Sequence, residues 1–223
     1  MNQENCDCAR CPIPRSERSC EAPLGLAPAG CPTEIYQELN QKALSLLAEP
    51  LCREFARQAA CQEKEGYRLE EGHTVPIKPR LLEIAEFAGR MGYRKLGLAF
   101  CSGLYREGKK VAEFLVGRDF EVVSACCKVG RTPKEELGLD DGDKLHPGRF
   151  EPMCNPLLQA LLLNEAKTEF NILLGLCVGH DSLFFRHGQA PCTVLAVKDR
   201  LLGHNPLAAV YQLDSYYRCL SHR

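Results

Sequence analysis

Three observations predict an α/β fold: a small three-layer sandwich with a mostly parallel sheet of about four strands. From Arg80 onward, helical pattern alternates with short apolar runs. The runs themselves, KLGLAFC (95–101), FEVVSACC (120–127), FNILLGLC (170–177) and TVLAVKD (193–199), are nearly continuous in apolar residues. That is the signature of strands covered on both faces. Right-handed crossovers between such strands then supply the two helical layers.

Taken in order, residues 1–31 stand apart as a Cys-rich segment, with five cysteines, four prolines and few large apolar residues. Such a stretch buries too little to order itself unless a metal supplies the missing free energy. Residues 32–79 form a helical segment and linker. Pro32 suits a first helical position, and Ile35, Leu39, Ala43 and Leu46 recur at helical spacing. Pro50 interrupts, and LCREFARQAACQEKEG reads as a second helix. Residues 66–79, with Gly72, Pro76 and Pro79, read as the linker.

Residues 80–223 form the α/β domain. PRLLEIAEFAGRMG places Leu81, Ile84, Ala85 and Ala88 on one helical face, and GLYREGKKVAEFLV (103–116) is the next helix. A polar stretch, 128–153, follows the second strand; in it Thr132 and Glu135 have capping-box spacing, and His146 precedes Pro147-Gly148. A stretch of this length reads as a lid or as an exposed crossover. NPLLQALLLNEA (155–166) starts a helix with Asn155 as N-cap and Pro156 at the first turn. NPLAAVYQLDSYY (205–217) repeats that start.

The chain has 223 residues, 45% hydrophobic and 26% charged, with a net charge of −1. This balance gives no electrostatic case for a nucleic-acid partner. No apolar run reaches the roughly 18 residues of a membrane span. The start, MNQENCDCARC, lacks the basic and apolar regions of a secretory signal, so a cytoplasmic location is expected. In a reducing compartment the 14 cysteines read as metal ligands, catalytic groups or core residues more readily than as disulfides.

The cysteines fall into two sets. In an open α/β sheet, ligands sit outside the carboxyl ends of the strands. Cys101, Cys127 and Cys177 end three of the predicted strands, and Cys154 lies just before a helix start that can return to the same rim. The dipole and free N–H groups of a helix start favour thiolate over thiol. Thiolates are what zinc and iron–sulfur clusters require. Cys101, Cys127, Cys154 and Cys177 are therefore the candidate cofactor ligands at the rim. At the N-terminus, Cys8, Cys11, Cys20 and Cys31 are the candidate metal ligands, with Cys6 spare. One Cys-x-x-Cys pair is present and a second is absent, so the spacing suits an iron–sulfur cluster as well as zinc. Cys52, Cys61, Cys126, Cys192 and Cys219 read as core residues.

The blocks CCKVG, MCNPLLQALLLN, GLCVGHDSLFF and APCTVLAVKDRLLGHNPLAAVY resemble those of a prokaryotic family catalogued as domain of unknown function 1847. Its members are usually labelled metal-binding protein. The resemblance implies a cysteine-rich N-terminus with a metal, joined to an α/β domain, and no particular reaction. The positions it matches include Cys8, Cys11, Cys101, Cys127, Cys154, Cys177, His180, Asp181, Lys198, Asp199, His204 and Asn205. The spacer between 62 and 80 and the extra Cys6 depart from the family.

The first functional expectation is thus a metal or iron–sulfur protein for electron transfer, sensing or metal handling. The alternative is an enzyme with Cys177 as nucleophile, His180 as base and Asp181 or Asp199 as orienter. In it, Lys198 and His204 bind an anionic substrate. The bland reading of His180-Asp181 is a helix cap. A dithiol at Cys126–Cys127 ranks last, because successive strand residues face opposite sides. The partners that fit are a redox partner or a small anionic ligand.

Overall fold

The structure is a computed structural model and describes residues 7–220. It divides into two compact units, residues 1–60 and 61–223. Cys6 lies outside the described residues.

In the first unit, short 3₁₀ turns at Cys8–Arg10 and Arg15–Glu17 precede helices α1 (Pro32–Ile35), α2 (Gln37–Leu47) and α3 (Pro50–Glu65), the last running on past the unit boundary. The helix expected from Pro32 is broken at Tyr36, whose φ −105°, ψ 41° lies outside the helical region. No residue from Asp7 to Arg57 is buried. The expected apolar stripe exists, but Ile35, Leu39 and Leu46 are more than half exposed. The cysteine segment is closed by backbone bonds instead. Ser19 N donates to the Leu26 carbonyl at 2.9 Å, and Leu26 N to the Glu17 carbonyl at 2.7 Å. The chain passes itself so closely that a Cβ on Gly25 would lie 2.3 Å from the Arg18 backbone.

The second unit opens with a hairpin where a linker is expected. Strands β1 (Tyr67–Glu70) and β2 (His73–Pro76) pair antiparallel, Glu70 opposite His73. Glu71 and Gly72 both have positive φ, 49° and 82°. That is the two-residue turn whose twist matches a hairpin.

Then come α4 (Arg80–Arg90), β3 (Lys95–Phe100), α5 (Tyr105–Val116), β4 (Glu121–Cys126), α6 (Pro156–Glu165), β5 (Phe170–Leu174), α7 (His180–His187), β6 (Cys192–Ala196) and α8 (Leu207–Val210). The sheet is four-stranded and parallel, in the order β4-β3-β5-β6. The α/β prediction holds, and each strand stops before the end of its predicted run. Along β3 the pleat sends alternate side chains to opposite layers. Phe100 meets α5, where a Cβ on Gly108 would lie 3.1 Å from its ring. Ala99 and Cys101 face the other way, into a core with Cys127, Ala160, Leu163, Leu173, Leu176 and Phe184.

Two helix starts with the same Asn-Pro sequence fare differently. Asn155 caps α6, its side chain accepting from Leu158 N at 2.9 Å. At the second, α8 lasts four residues and has no side-chain cap, so the expected helix over 205–217 is mostly turns. The polar stretch 128–153 holds 3₁₀ turns at Lys134–Leu137 and Asp141–Asp143. Its capping box is formed by Asp140 and Asp143, not by Thr132 and Glu135. Lys144 pins the stretch by pairing with Glu135 at 2.5 Å and Asp141 at 3.0 Å. His146 is exposed on it.

Candidate thiol site at the sheet rim

The strand order reverses direction between β3 and β5, which opens a crevice at their carboxyl ends. Cys101 follows β3 there, Cys127 follows β4, and Cys177 lies in the turn after β5. Cys154 comes in beside Asn155, whose backbone N donates to the Cys127 carbonyl at 2.8 Å. All four cysteines, with Pro156, Gln159, Leu176 and His180, line one pocket of about 190 Å3 that nowhere admits a water-sized sphere.

The sulfurs form a graded chain. Cys127 Sγ and Cys154 Sγ are 3.8 Å apart. Cys127 Sγ also accepts from Ser102 N at 3.3 Å. Hydrogen bonding from Cys127 holds the Cys154 thiol down at about 6, against its burial, and the Lys128 ammonium adds to this. The contact and the nearby cation thus favour the thiolate form of Cys154. Cys101 goes the other way. Its bond to Cys127 and its burial push it up to about 12, so it stays a thiol. Cys177 Sγ accepts from Arg200 Nη2 at 3.0 Å.

Three cations thus gather at the thiols: Lys128 after β4, and Lys198 and Arg200 after β6. Lys128 is tethered by donating to the Pro152 carbonyl at 2.6 Å. Neither it nor Arg200 stands out in the sequence as a site residue, because a cation at a strand end is usually solvated. Gln159 is the other unforeseen member. Fully buried, it donates from Nε2 to the carbonyls of Phe100 (3.2 Å) and Ala125 (2.7 Å), tying the ends of β3 and β4 together. Those two acceptors fix which way the amide faces, and its Oε1 is left without a donor among the described residues.

The triad expected around Cys177 is not assembled. His180 is the first residue of α7, whose N-cap is Gly179. Its Nδ1 is buried with no partner among the described residues. Burial, aided by Lys128, lowers its pKa, so the ring is neutral. Asp181 turns to Ser182 N at 2.8 Å. Asp199 accepts from Leu201 N and Leu202 N, and its own N donates to His204 Nδ1 at 3.2 Å. Both carboxylates and His204 are spent on local turns.

The N-terminal set is arranged differently. Cys8, Cys11, Cys20 and Cys31 all line one cavity of about 390 Å3, with Asp7, Arg10 and Arg18. The Thr33 backbone N–H lowers the Cys31 pKa. Among the described residues, no three His, Cys, Asp or Glu side chains form a ready-made cage for a metal ion. Of the cysteines expected in the core, Cys52 and Cys219 are exposed, while Cys61, Cys126 and Cys192 are half-buried. No described helix is long and apolar enough to cross a membrane.

The family described as Protein of unknown function (DUF1847) matches residues 31–195. That span holds all four rim cysteines and Cys31, and begins after Cys8, Cys11 and Cys20. The uncharacterized protein MJ0455 of Methanocaldococcus jannaschii is 48% identical over 140 residues, which is 63% of this chain and 69% of the relative. No solved structure matches the chain.

Proposed function

The chain belongs to the family described as Protein of unknown function (DUF1847), and from that premise we propose that it is a cysteine-rich metal-binding protein whose metal is held by Cys8, Cys11, Cys20 and Cys31. The observation that carries this reading is the gathering of these four side chains around one cavity, in a stretch with no buried residue to organise it. A thiolate-bound metal supplies the ordering free energy that packing there does not. The donor set fits: four sulfurs, one of them drawn toward thiolate.

Cavity size favours one of the two forms of metal. Tetrahedral zinc with Zn–S near 2.3 Å would draw the sulfurs to about 3.8 Å of one another. The cavity of about 390 Å3 that they line with their neighbours leaves room for a multi-atom iron–sulfur cluster. The rim pocket is closed to water-sized spheres, which supports reading the N-terminal set as the metal site. At the rim, Cys154 is the thiol drawn toward thiolate.

The test is metal and acid-labile sulfide analysis, with visible spectra, of full-length protein purified without air. Iron and sulfide in the wild type, lost in Cys11→Ser/Cys20→Ser and kept in Cys154→Ser, are expected. Zinc in place of iron would retain the site and remove the cluster. Metal that follows Cys154 and Cys177, or no metal at all, would overturn the proposal.

A further inference from the structure

We propose that Cys127 and Cys154 are a redox-active dithiol that reduces disulfides carried by small acidic thiols. The inference goes beyond the metal reading and does not need it, since it rests on different residues.

Geometry carries it. The two sulfurs belong to residues 27 apart in the chain and stand 3.8 Å from each other. A disulfide needs about 2.05 Å. The backbone bond from Asn155 N to the Cys127 carbonyl joins the two segments at this point, so the sulfurs close the gap mainly by side-chain rotation. Exposure divides the roles. Cys154 is partly exposed and Cys127 is 3% exposed, which suits an attacking and a resolving sulfur. Cys101 also touches Cys127 but is buried. Cys177 is partly exposed, but its sulfur is engaged by Arg200. Cys126 is also partly exposed and bonds to Cys127, but it is the neighbouring residue, and successive strand residues face opposite sides. Among the described residues, Cys127–Cys154 is the pair that joins a sulfur contact between distant segments to a partly exposed residue.

The reaction balances as thiol–disulfide exchange. The Cys154 thiolate, its proton already given to solvent, attacks one sulfur of R–S–S–R. That S–S bond breaks, and RS⁻ leaves and takes up a proton. Cys127 then gives up its proton and attacks Cys154 Sγ. This bond breaks in turn, a second RSH departs, and a Cys127–Cys154 disulfide remains. Two electrons pass from protein to substrate, and an external dithiol returns them. Lys128, Lys198 and Arg200 around the thiols set the substrate class. An anionic disulfide is drawn to them and a cationic one is repelled.

The experiment treats the full chain, as purified, with oxidised glutathione, then maps thiols by acid quench, alkylation and peptide mass spectrometry. A linked peptide pair containing Cys127 and Cys154 is expected, with about two equivalents of reduced glutathione released by that pair and reversal by dithiothreitol. In Cys127→Ser the glutathione should remain trapped on Cys154. Cystamine, the cationic probe, should form the same link on the order of tenfold more slowly at low salt, with the gap narrowing as salt rises. A link between other cysteines only, no link, or a Cys127→Ser protein that traps no glutathione would overturn the dithiol. Equal rates for the two probes would overturn the acidic substrate class. The wild-type mapping needs no variant to fold, and loss of metal without loss of the link would sink only the earlier proposal.

Discussion

Cys8, Cys11, Cys20 and Cys31 surround a cavity of about 390 Å3 in a stretch where nothing from Asp7 to Arg57 is buried. Cys101, Cys127, Cys154 and Cys177 line a pocket that excludes water-sized spheres, backed by Leu163, Leu173 and Phe184, each at most 1% exposed. The same four-sulfur count is thus held in position by different forces. At the rim, hydrophobic burial and strand geometry fix the sulfurs, and chemistry is added afterwards by neighbours such as Lys128. At the N-terminus little but a few backbone bonds remains to hold them. A cysteine quartet alone therefore does not say metal; the packing behind it decides what the sulfurs are for.

The largest expected effect follows from that contrast. Structural zinc sites contribute about 10–16 kcal/mol. Stripping metal from the native protein should speed tryptic cleavage at Arg10, Arg15 and Arg18 by on the order of tenfold or more, because local opening is what proteases read. The alkylation rate of Cys154 should stay within about twofold in the same sample. Equal response of both regions would erase the distinction between ligand-held and packing-held sulfur.

Phe184→Ala attacks the comparison from the other side. Phe184 is fully buried in the core that contains Cys101 and Cys127. Its truncation should cost about 3–5 kcal/mol of unfolding free energy in a denaturant titration. Metal content per chain should be unchanged. A loss below about 1 kcal/mol would mean that the rim is not packing-held after all.

How much of this the sequence reveals also divides along the same line. The strands are legible because burial on both faces demands long apolar runs, and FNILL in β5 is buried at every position. The rim was legible through them, since a parallel sheet delivers its strand ends to one edge. Cys154 is legible through Asn155, whose cap is a local bond. What stays hidden depends on contacts distant in sequence. Gln159 looks like one more polar residue on a helix until it bridges Phe100 and Ala125. Arg200 gains its role only by reaching Cys177. The hairpin at 67–76 is hidden for a different reason: Pro76, Pro79 and Gly72 speak for a linker, and the turn depends on a positive φ at Glu71 that its residue type does not advertise.

The smallest effect tests how far the rim thiolate is the work of its neighbours. Cys154 sits at about 6 in place of 9.0, first through the bond from Cys127 and then through Lys128. Its alkylation rate should climb with pH to a plateau, with a midpoint near 6. Lys128→Met removes the cation and leaves the Cys127 bond, so the midpoint should rise by up to about one unit, or roughly 1.4 kcal/mol. At pH 6.5 the rate should fall severalfold, and above pH 9 it should match the wild type. The sign carries over to folding. A depressed thiol stabilises the fold fully above its unfolded value of 9.0 and loses that contribution as pH falls through about 6. Between those limits the unfolded chain binds the extra proton, so stability from this group climbs with pH, and the climb should be shallower in Lys128→Met. An unshifted midpoint in the variant would leave the Cys127 bond as the whole cause and remove Lys128 from the site.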